Sequence, residues 1–260
     1  MKLQGRVVVL TGGGGDIGSG TSRALAAEGA VVIVTDIRLD SAENTAKLIR
    51  DAGGQAKAHA LNVLDEAAVI SAFENIVTEF GRLDVLVNLA GDTVIESSID
   101  TSVEEFDRIL RLNITAQFIT ARTSAKFMLA HGGGSIINIS SILGYGGTPR
   151  RAAYSASRAA IINLTRTLAV EWALQGVRVN CVAPGWTMTR ALKSAIEIGS
   201  LDIDAMVERT PIGRLPSVDE IAAVIVFLAS DDSRMVTGHT IPVDGGVTSY
   251  IGPSGKPSLA

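Results

Sequence analysis

The chain has 260 residues, 47% hydrophobic and 19% charged, a balance that builds a globular core and excludes a disordered polypeptide. Its net charge of −4 argues against a duplex-DNA binder, which needs a basic face, so no nucleic-acid partner is expected. The single cysteine, Cys181, excludes an internal disulfide framework and a Cys-rich zinc site; the three histidines are scattered without ligand spacing, so no metal is expected.

Taken in chain order, strand and helix signals alternate. Residues 1–6 carry no signal-peptide pattern, and no later run reaches 18 uncharged apolar residues. The expectation is a cytoplasmic protein without a membrane segment. Residues 7–10 form a short β-branched run ending at Thr11-Gly12 and read as a buried strand. Helical composition follows over 17–28 and stops at Gly29. A second strand is predicted over 31–35, a helix over 41–52, a third strand over 56–61 and a helix over 66–80 ending at Gly81. Residues 85–87 make a fourth strand, 104–129 a long helix, and 135–139 a fifth strand after Gly132-Gly133-Gly134. Another long helix is predicted over 152–174, then a sixth strand over 177–182, a helix over 218–229 and a short last strand over 239–243. Continuous apolar strands separated by helices argue for a parallel sheet covered on both faces.

There is no linker or break in composition, so residues 1–250 read as one domain and 251–260 as a loose C-terminal tail. The segment 186–216 interrupts the rhythm, with a pattern of one or two short helices. Long excursions at the carboxyl ends of parallel strands are usually substrate lids or binding loops.

The turn Thr11-Gly12-Gly13-Gly14-Gly15-Asp16-Ile17-Gly18 joins the first strand to the first helix. Glycines there let backbone N–H groups approach a pyrophosphate at a helix N-terminus, where the dipole favours an anion. A Gly-rich turn is weak evidence alone, but its place between a buried strand and a helix points to nucleotide binding. Asp36, at the end of the second strand and 24 residues after Gly12, is placed to accept both hydroxyls of an adenosine ribose. The same carboxylate repels a 2′-phosphate, so NAD is expected over NADP, with Arg38 nearby as a moderating charge.

With Asn88-Leu89-Ala90-Gly91 after the fourth strand and Tyr154-Ser155-Ala156-Ser157-Arg158 in a helix, the chain resembles the classical short-chain dehydrogenase/reductase family. Further likenesses are Asn113 in Leu-Asn-Ile-Thr, Ser140-Ser141, Asn180-Cys181-Val182-Ala183-Pro184-Gly185 with Thr189, and Val243-Asp244-Gly245-Gly246. The resemblance implies a Rossmann-like, doubly wound, seven-stranded parallel sheet, a small-molecule substrate and a homotetramer. It implies Tyr154 as proton donor or acceptor, Ser141 as the hydrogen-bonding partner of the substrate oxygen, and Asn113 as the holder of a relay water. Residue 158, here Arg158, would bind the nicotinamide ribose and stabilise the tyrosinate. The cofactor residues implied are Gly12, Gly14, Asp16, Ile17, Asp36, Asn62, Val63, Asn88, Ala90, Gly91, Tyr154, Arg158, Pro184, Gly185, Thr187 and Thr189.

The spacing supports this chemistry in its own right. Residues 154 and 158 lie four apart on a helix and share a face. Forming a tyrosinate near neutral pH takes about 4 kcal/mol of differential stabilisation. One cation at ~4 Å in an effective dielectric of ~20 supplies about that much.

Three departures from the family pattern stand out. Arg158 replaces lysine, keeping the charge but unable to give up a proton. Asp16 replaces a loop glycine and puts a negative charge near the pyrophosphate unless it pairs with Arg23 or another cation. Leu89 replaces an asparagine at a position that contributes mainly backbone. Two readings follow: an NAD-dependent enzyme interconverting a secondary alcohol and a ketone on a polar or hydroxylated substrate, or a weakly active or non-catalytic nucleotide-binding relative. Arg150 and Arg151, just before the catalytic helix, are either a solvated helix start or a clamp for a substrate anion.

Overall fold

A computed structural model describes residues 1–197 and 202–251. Of the expected tail, only Ile251 is among the described residues, and residues 198–201 of the expected lid lie outside them.

Seven parallel strands form one sheet: β1 (Val7–Thr11), β2 (Val31–Asp36), β3 (Gln55–Ala60), β4 (Val85–Asn88), β5 (Gly134–Ile139), β6 (Val177–Pro184) and β7 (Thr240–Val243). Their order is β3-β2-β1-β4-β5-β6-β7. The helices between them are α1 (Asp16–Ala27), α2 (Leu39–Asp51), α3 (Glu66–Phe80), α4 (Val103–Leu110), α5 (Ala116–Ala130) and α6 (Ala152–Trp172). After β6 come α7 (Arg190–Glu197), α8 (Ile203–Glu208) and α9 (Val218–Ala229). The predicted alternation is therefore observed, as a Rossmann-like, doubly wound single domain.

The β-branched runs at the centre of the sheet are buried on both faces, which is why they read as continuous apolar segments. Alternate residues serve opposite sides. Val8, Leu10, Val32, Val34 and Ile137 pack against Leu25 of α1, Ile49 of α2 and Ile225 of α9. Val7, Val9, Ile33, Leu86 and Ile136 pack against Phe73 of α3, Met128 of α5 and Leu168 of α6. Each fully buried Val, Leu, Ile or Phe contributes about 1.5–3 kcal/mol, so the two layers rather than any polar contact hold the sheet.

One helix prediction is revised. The stretch read as a single helix over 104–129 is α4, a π turn over Arg111–Thr115, and α5. Asn113 sits in that π turn and is fully buried. The segment 186–216, expected to hold one or two short helices, contains two, α7 and α8.

Candidate active site

The strand order reverses direction between β1 and β4, and the carboxyl ends of these strands diverge into a cleft, as in open α/β sheets generally. The cleft, about 690 Å³, is lined by Gly12, Asp16, Ile17, Asp36, Asn62, Val63, Ala90, Gly91 and Thr189 among others. Nine of the residues singled out from the sequence thus meet around one space. Gly15, Gly18 and Leu112 of the sequence motifs line it too, with Arg38 and Leu89; Ile37, Leu61 and Asp92 are contributed by chain path and carry no motif of their own.

The loop after β1 is built for close approach. Gly12 has φ +68°, and a Cβ there would come within 2.9 Å of the Ala90 backbone. Thr11 Oγ1 accepts from the Leu89 and Ala90 N–H groups, both at 3.2 Å, which ties the β1 and β4 loops together. Leu89 thus contributes backbone, as read from the sequence. Helix α1 starts with no side-chain cap, leaving first-turn N–H groups beside the cleft for an anion.

Asp36 is oriented by two backbone donors: Gly14 N–H to Oδ2 at 3.0 Å and Arg38 N–H to Oδ1 at 3.1 Å. Its remaining lone pairs are left for ribose hydroxyls. Gly14 itself lies behind the loop, next to Asp36. The Asn62 oxygen accepts from Leu64 N–H at 3.1 Å, so part of its capacity for an adenine amino group is already used. These features fit a dinucleotide: an uncapped helix N-terminus, glycines where the loops touch, and a carboxylate at the adenosine end.

Asp16 does not face the phosphate position alone. Its carboxylate accepts from the Arg190 backbone N–H and pairs with the Arg190 guanidinium at the start of α7. Of the alternatives, Arg23 or another cation, the partner is the other: Arg190, 174 residues away. Thr189 Oγ1 caps the same helix by accepting from Leu192 N–H at 3.2 Å.

Beyond the cleft the catalytic candidates come from three elements. Ser141 ends the β5 connection and is 9% exposed; its Oγ accepts from Leu143 N–H at 3.2 Å, leaving the hydroxyl hydrogen free to donate. Tyr154, in the first turn of α6, is half-buried. Arg158, one turn on, is 7% exposed. Its Nη1 donates to the Ile139 carbonyl at 2.8 Å, and its guanidinium stands over the Tyr154 ring, 4.8 Å from the centroid. A Cβ on Gly91 would meet both Arg158 Nη2 and Asn113 Oδ1 at 2.8 Å, so the β4 loop closes directly on these groups. Arg158 Nε is buried with no partner among the described residues.

The Asn113 amide is occupied more fully than anticipated. Its Oδ1 accepts from Asp92 N–H, and its Nδ2 donates to the Asp92 carbonyl and Ser157 Oγ, all at 2.9 Å. One oxygen lone pair is left for a water, and the main work of the side chain is to fasten the β4 loop to α6. Asn88 also differs. Its side chain is buried between β4, β5 and α5, bonded to Asn138 Oδ1 at 3.0 Å and Thr120 Oγ1 at 2.7 Å, so only its backbone is near the cleft. Pro184 and Thr187 are buried, and Gly185 packs against Asp244 at the end of β6.

The family model described as Enoyl-(Acyl carrier protein) reductase matches residues 14–248. The chain belongs to the short-chain dehydrogenase/reductase family. A cis-4-hydroxycyclohexanecarboxylate dehydrogenase from Sinomonas cyclohexanicum is 39% identical over 94% of this chain and 97% of its own. The structure of a gluconate 5-dehydrogenase from Burkholderia cenocepacia J2315 in complex with NADP and tartrate has a TM-score of 0.91 at 33% identity, covering 96% of this chain and 98% of that one. The structure of an NAD+-bound xylitol dehydrogenase has a TM-score of 0.90 at 31% identity, covering 95% of this chain and 100% of that one. Membership in this family makes the chain an oxidoreductase that uses a nicotinamide cofactor on a small-molecule substrate.

A second cavity, about 760 Å³, lies at the opposite, amino-terminal edge of the sheet and contains none of the family's motif residues. Three of its arginines have structural partners: Arg178 donates to the carbonyls of Val236, Leu228 and Ser230, Arg82 pairs with Asp84, and Arg6 with Asp231. Among the described residues, no group of three or more His, Cys, Asp or Glu is placed to hold a metal ion, and no helix is long and apolar enough to cross a membrane.

Proposed function

We propose that the chain is an NAD-dependent enzyme that interconverts a secondary alcohol and a ketone on a polar, hydroxylated substrate. The reading rests on one observation above all: the Arg158 guanidinium stands over the Tyr154 ring and meets the Gly91 loop, which lines the cofactor cleft. When bound, the nicotinamide supplies the acceptor or donor for the hydride of the carbinol carbon. Ser141 Oγ donates a hydrogen bond to the substrate oxygen and holds it against Tyr154. In the oxidative direction the substrate O–H proton would pass to the phenolate form of Tyr154 as the carbinol hydrogen leaves with the electron pair of its C–H bond; reduction reverses both transfers. Arg158 keeps a fixed positive charge beside the tyrosine and offers donors to the nicotinamide ribose. Asn113 positions the β4 loop, with one lone pair for a relay water.

NAD is favoured by Asp36, whose carboxylate repels a 2′-phosphate. The related structures with NADP and with NAD+ leave this choice to the individual chain. The working form is proposed to be a cytoplasmic homotetramer. Val170 and Leu174, four apart on α6 and its extension and both exposed, supply an apolar strip for a subunit contact. Segment 186–216 is proposed as the substrate lid.

The test is a panel of secondary alcohols, polyols and hydroxy acids followed by NADH absorbance, with NADP in parallel. Turnover with NAD, and NAD bound at least tenfold tighter than NADP, supports the reading. Equal affinities overturn the cofactor choice. The weakly active or non-catalytic reading is favoured by Arg158 in place of lysine, and it is supported instead if NAD binds and no substrate is turned over.

A further inference from the structure

Arg150 and Arg151 are neighbours in sequence, and the structure separates their roles. Arg150 is exposed, with its backbone at φ +65°, a left-handed conformation that non-glycine residues adopt only when held. A hydrogen bond from Glu96 N–H to the Arg150 carbonyl, at 3.1 Å, holds it. The chain then turns so that Arg151 lies half-buried and donates through Nη1 to Thr93 Oγ1 at 2.6 Å.

That contact fixes where the guanidinium stands. Thr93 follows Gly91 and Asp92, which line the cofactor cleft. Arg151 occupies the N-cap of α6, three residues before Tyr154. The cation therefore bridges the β4 loop and the catalytic helix, the two walls between which a carbinol carbon must lie to reach both Tyr154 and the nicotinamide.

Arg151 is also a cation without a counter-ion. Thr93 is a neutral acceptor, and no Asp or Glu among the described residues pairs with Arg151. Burial lowers its pKa from the ordinary arginine value; the nearby Tyr154 opposes that effect and Arg150 adds to it. The helix dipole at the start of α6 opposes a positive charge as well. The other partly buried arginines are already engaged: Arg178 on three carbonyls, Arg158 on Ile139. A planar carboxylate is the ligand that best satisfies a guanidinium with free N–H groups.

We propose that Arg151 is a specificity-determining residue that holds a carboxylate of the substrate, so that the preferred pair is a small secondary alcohol bearing a carboxylate and the matching keto acid. The proposal rests on the alcohol–ketone reading above. The ion pair is made in ground state and transition state alike, so its signature is in KM rather than kcat.

The test uses matched substrates on the full chain with NAD: 4-hydroxycyclohexanecarboxylate against its methyl ester, and 3-hydroxybutyrate against butan-2-ol. Expected is a kcat/KM at least tenfold higher for the acids. In Arg151→Ala the acid KM rises tenfold or more with kcat little changed, and the neutral partners are unaffected. Arg151→Lys recovers part of the loss, and Arg150→Ala behaves as wild type. Equal kcat/KM within each pair, or an acid preference that survives Arg151→Ala, overturns the proposal. Calorimetry with cyclohexanecarboxylate, an unreactive probe, separates the two failures. If no alcohol is turned over, the alcohol–ketone reading fails. The anchor still stands if the probe binds the enzyme–NADH complex tenfold more weakly in Arg151→Ala, and falls if the probe does not bind or binds both proteins equally.

Discussion

At position 158 an arginine occupies the floor of the site in a way a lysine would not. Its planar guanidinium lies over the Tyr154 ring and donates to the Ile139 carbonyl, and Gly91 leaves room for its second nitrogen by having no side chain. The charge is thereby held by a β-strand end, a loop and an aromatic face at once. Two outcomes follow at this scale. Tyr154→Phe keeps the ring under the guanidinium and removes only the hydroxyl; steady-state kinetics are expected to show turnover reduced a hundredfold or more with NAD affinity nearly unchanged. A Phe variant with near-native kcat would take Tyr154 out of the mechanism. Arg158→Lys keeps the charge on a more flexible stem and is expected to preserve or raise kcat. Loss of activity in that variant would give the forked geometry a role of its own, because the ammonium cannot both stack on the ring and reach the same acceptors.

Between elements, side chains connect helices that are far apart in the chain. Asp16 at the start of α1 fastens Arg190 at the start of α7, so the glycine loop and α7 are joined across the cleft. Arg190 is largely exposed, and an ion pair of that kind is worth ~1 kcal/mol or less, about fivefold in an opening equilibrium. Asp16→Ala, Arg190→Ala and the double variant are expected to raise tryptic cleavage at Lys193 by the same factor, up to about fivefold. Effects that simply multiply in the double variant would show that the two side chains act separately. Helix α9 carries a different device. Ser217 and Glu220 cap each other's backbone N–H groups, and Arg214 donates to the Glu220 carboxylate at 2.6 and 2.9 Å. The Arg214 hydrogen bond and the Ser217 N–H hold the Glu220 pKa down at about 2 against an ordinary 4.5. A carboxyl that titrates lower in the folded chain stabilises it fully above the ordinary value and loses that contribution as pH falls toward 2. Melting temperature measured from pH 5 to pH 2 should therefore fall less steeply in Glu220→Gln than in wild type. The π turn between α4 and α5 belongs to this scale too. Composition over 104–129 reads as one helix because a π turn changes one hydrogen-bond step without changing residue preferences. It forms where Asn113 is pinned to Asp92 and Ser157, contacts that local sequence does not reveal.

For the molecule as a whole, the buried sheet is expected to be the last part to open, and Cys181 in it is the reporter. The thiol lies in β6, fully buried, and burial pushes its pKa up to about 12. Reaction with a thiol reagent at pH 8 is expected to be negligible in the native chain and complete in denaturant, at a rate that tracks unfolding. Rapid native-state labelling would show that β6 opens locally. The sequence by itself determined the alternation of strands and helices, the glycine loop with Asp36, and the Ser141, Tyr154 and Arg158 positions. The alternation is encoded in local hydrophobic periods and turns, and the 154–158 pair in a helical repeat; Asp36 and Ser141 were legible through their motif spacing and the family resemblance. Only the tertiary structure decided which cation neutralises Asp16, what Asn113 and Asn88 bind, and that the guanidinium of Arg151 rather than that of Arg150 bonds to the β4 loop. Those partners are 21 to 174 residues apart. Which of them meet is set by the route the chain takes across the sheet, and the energy of any one contact is too small to direct that route.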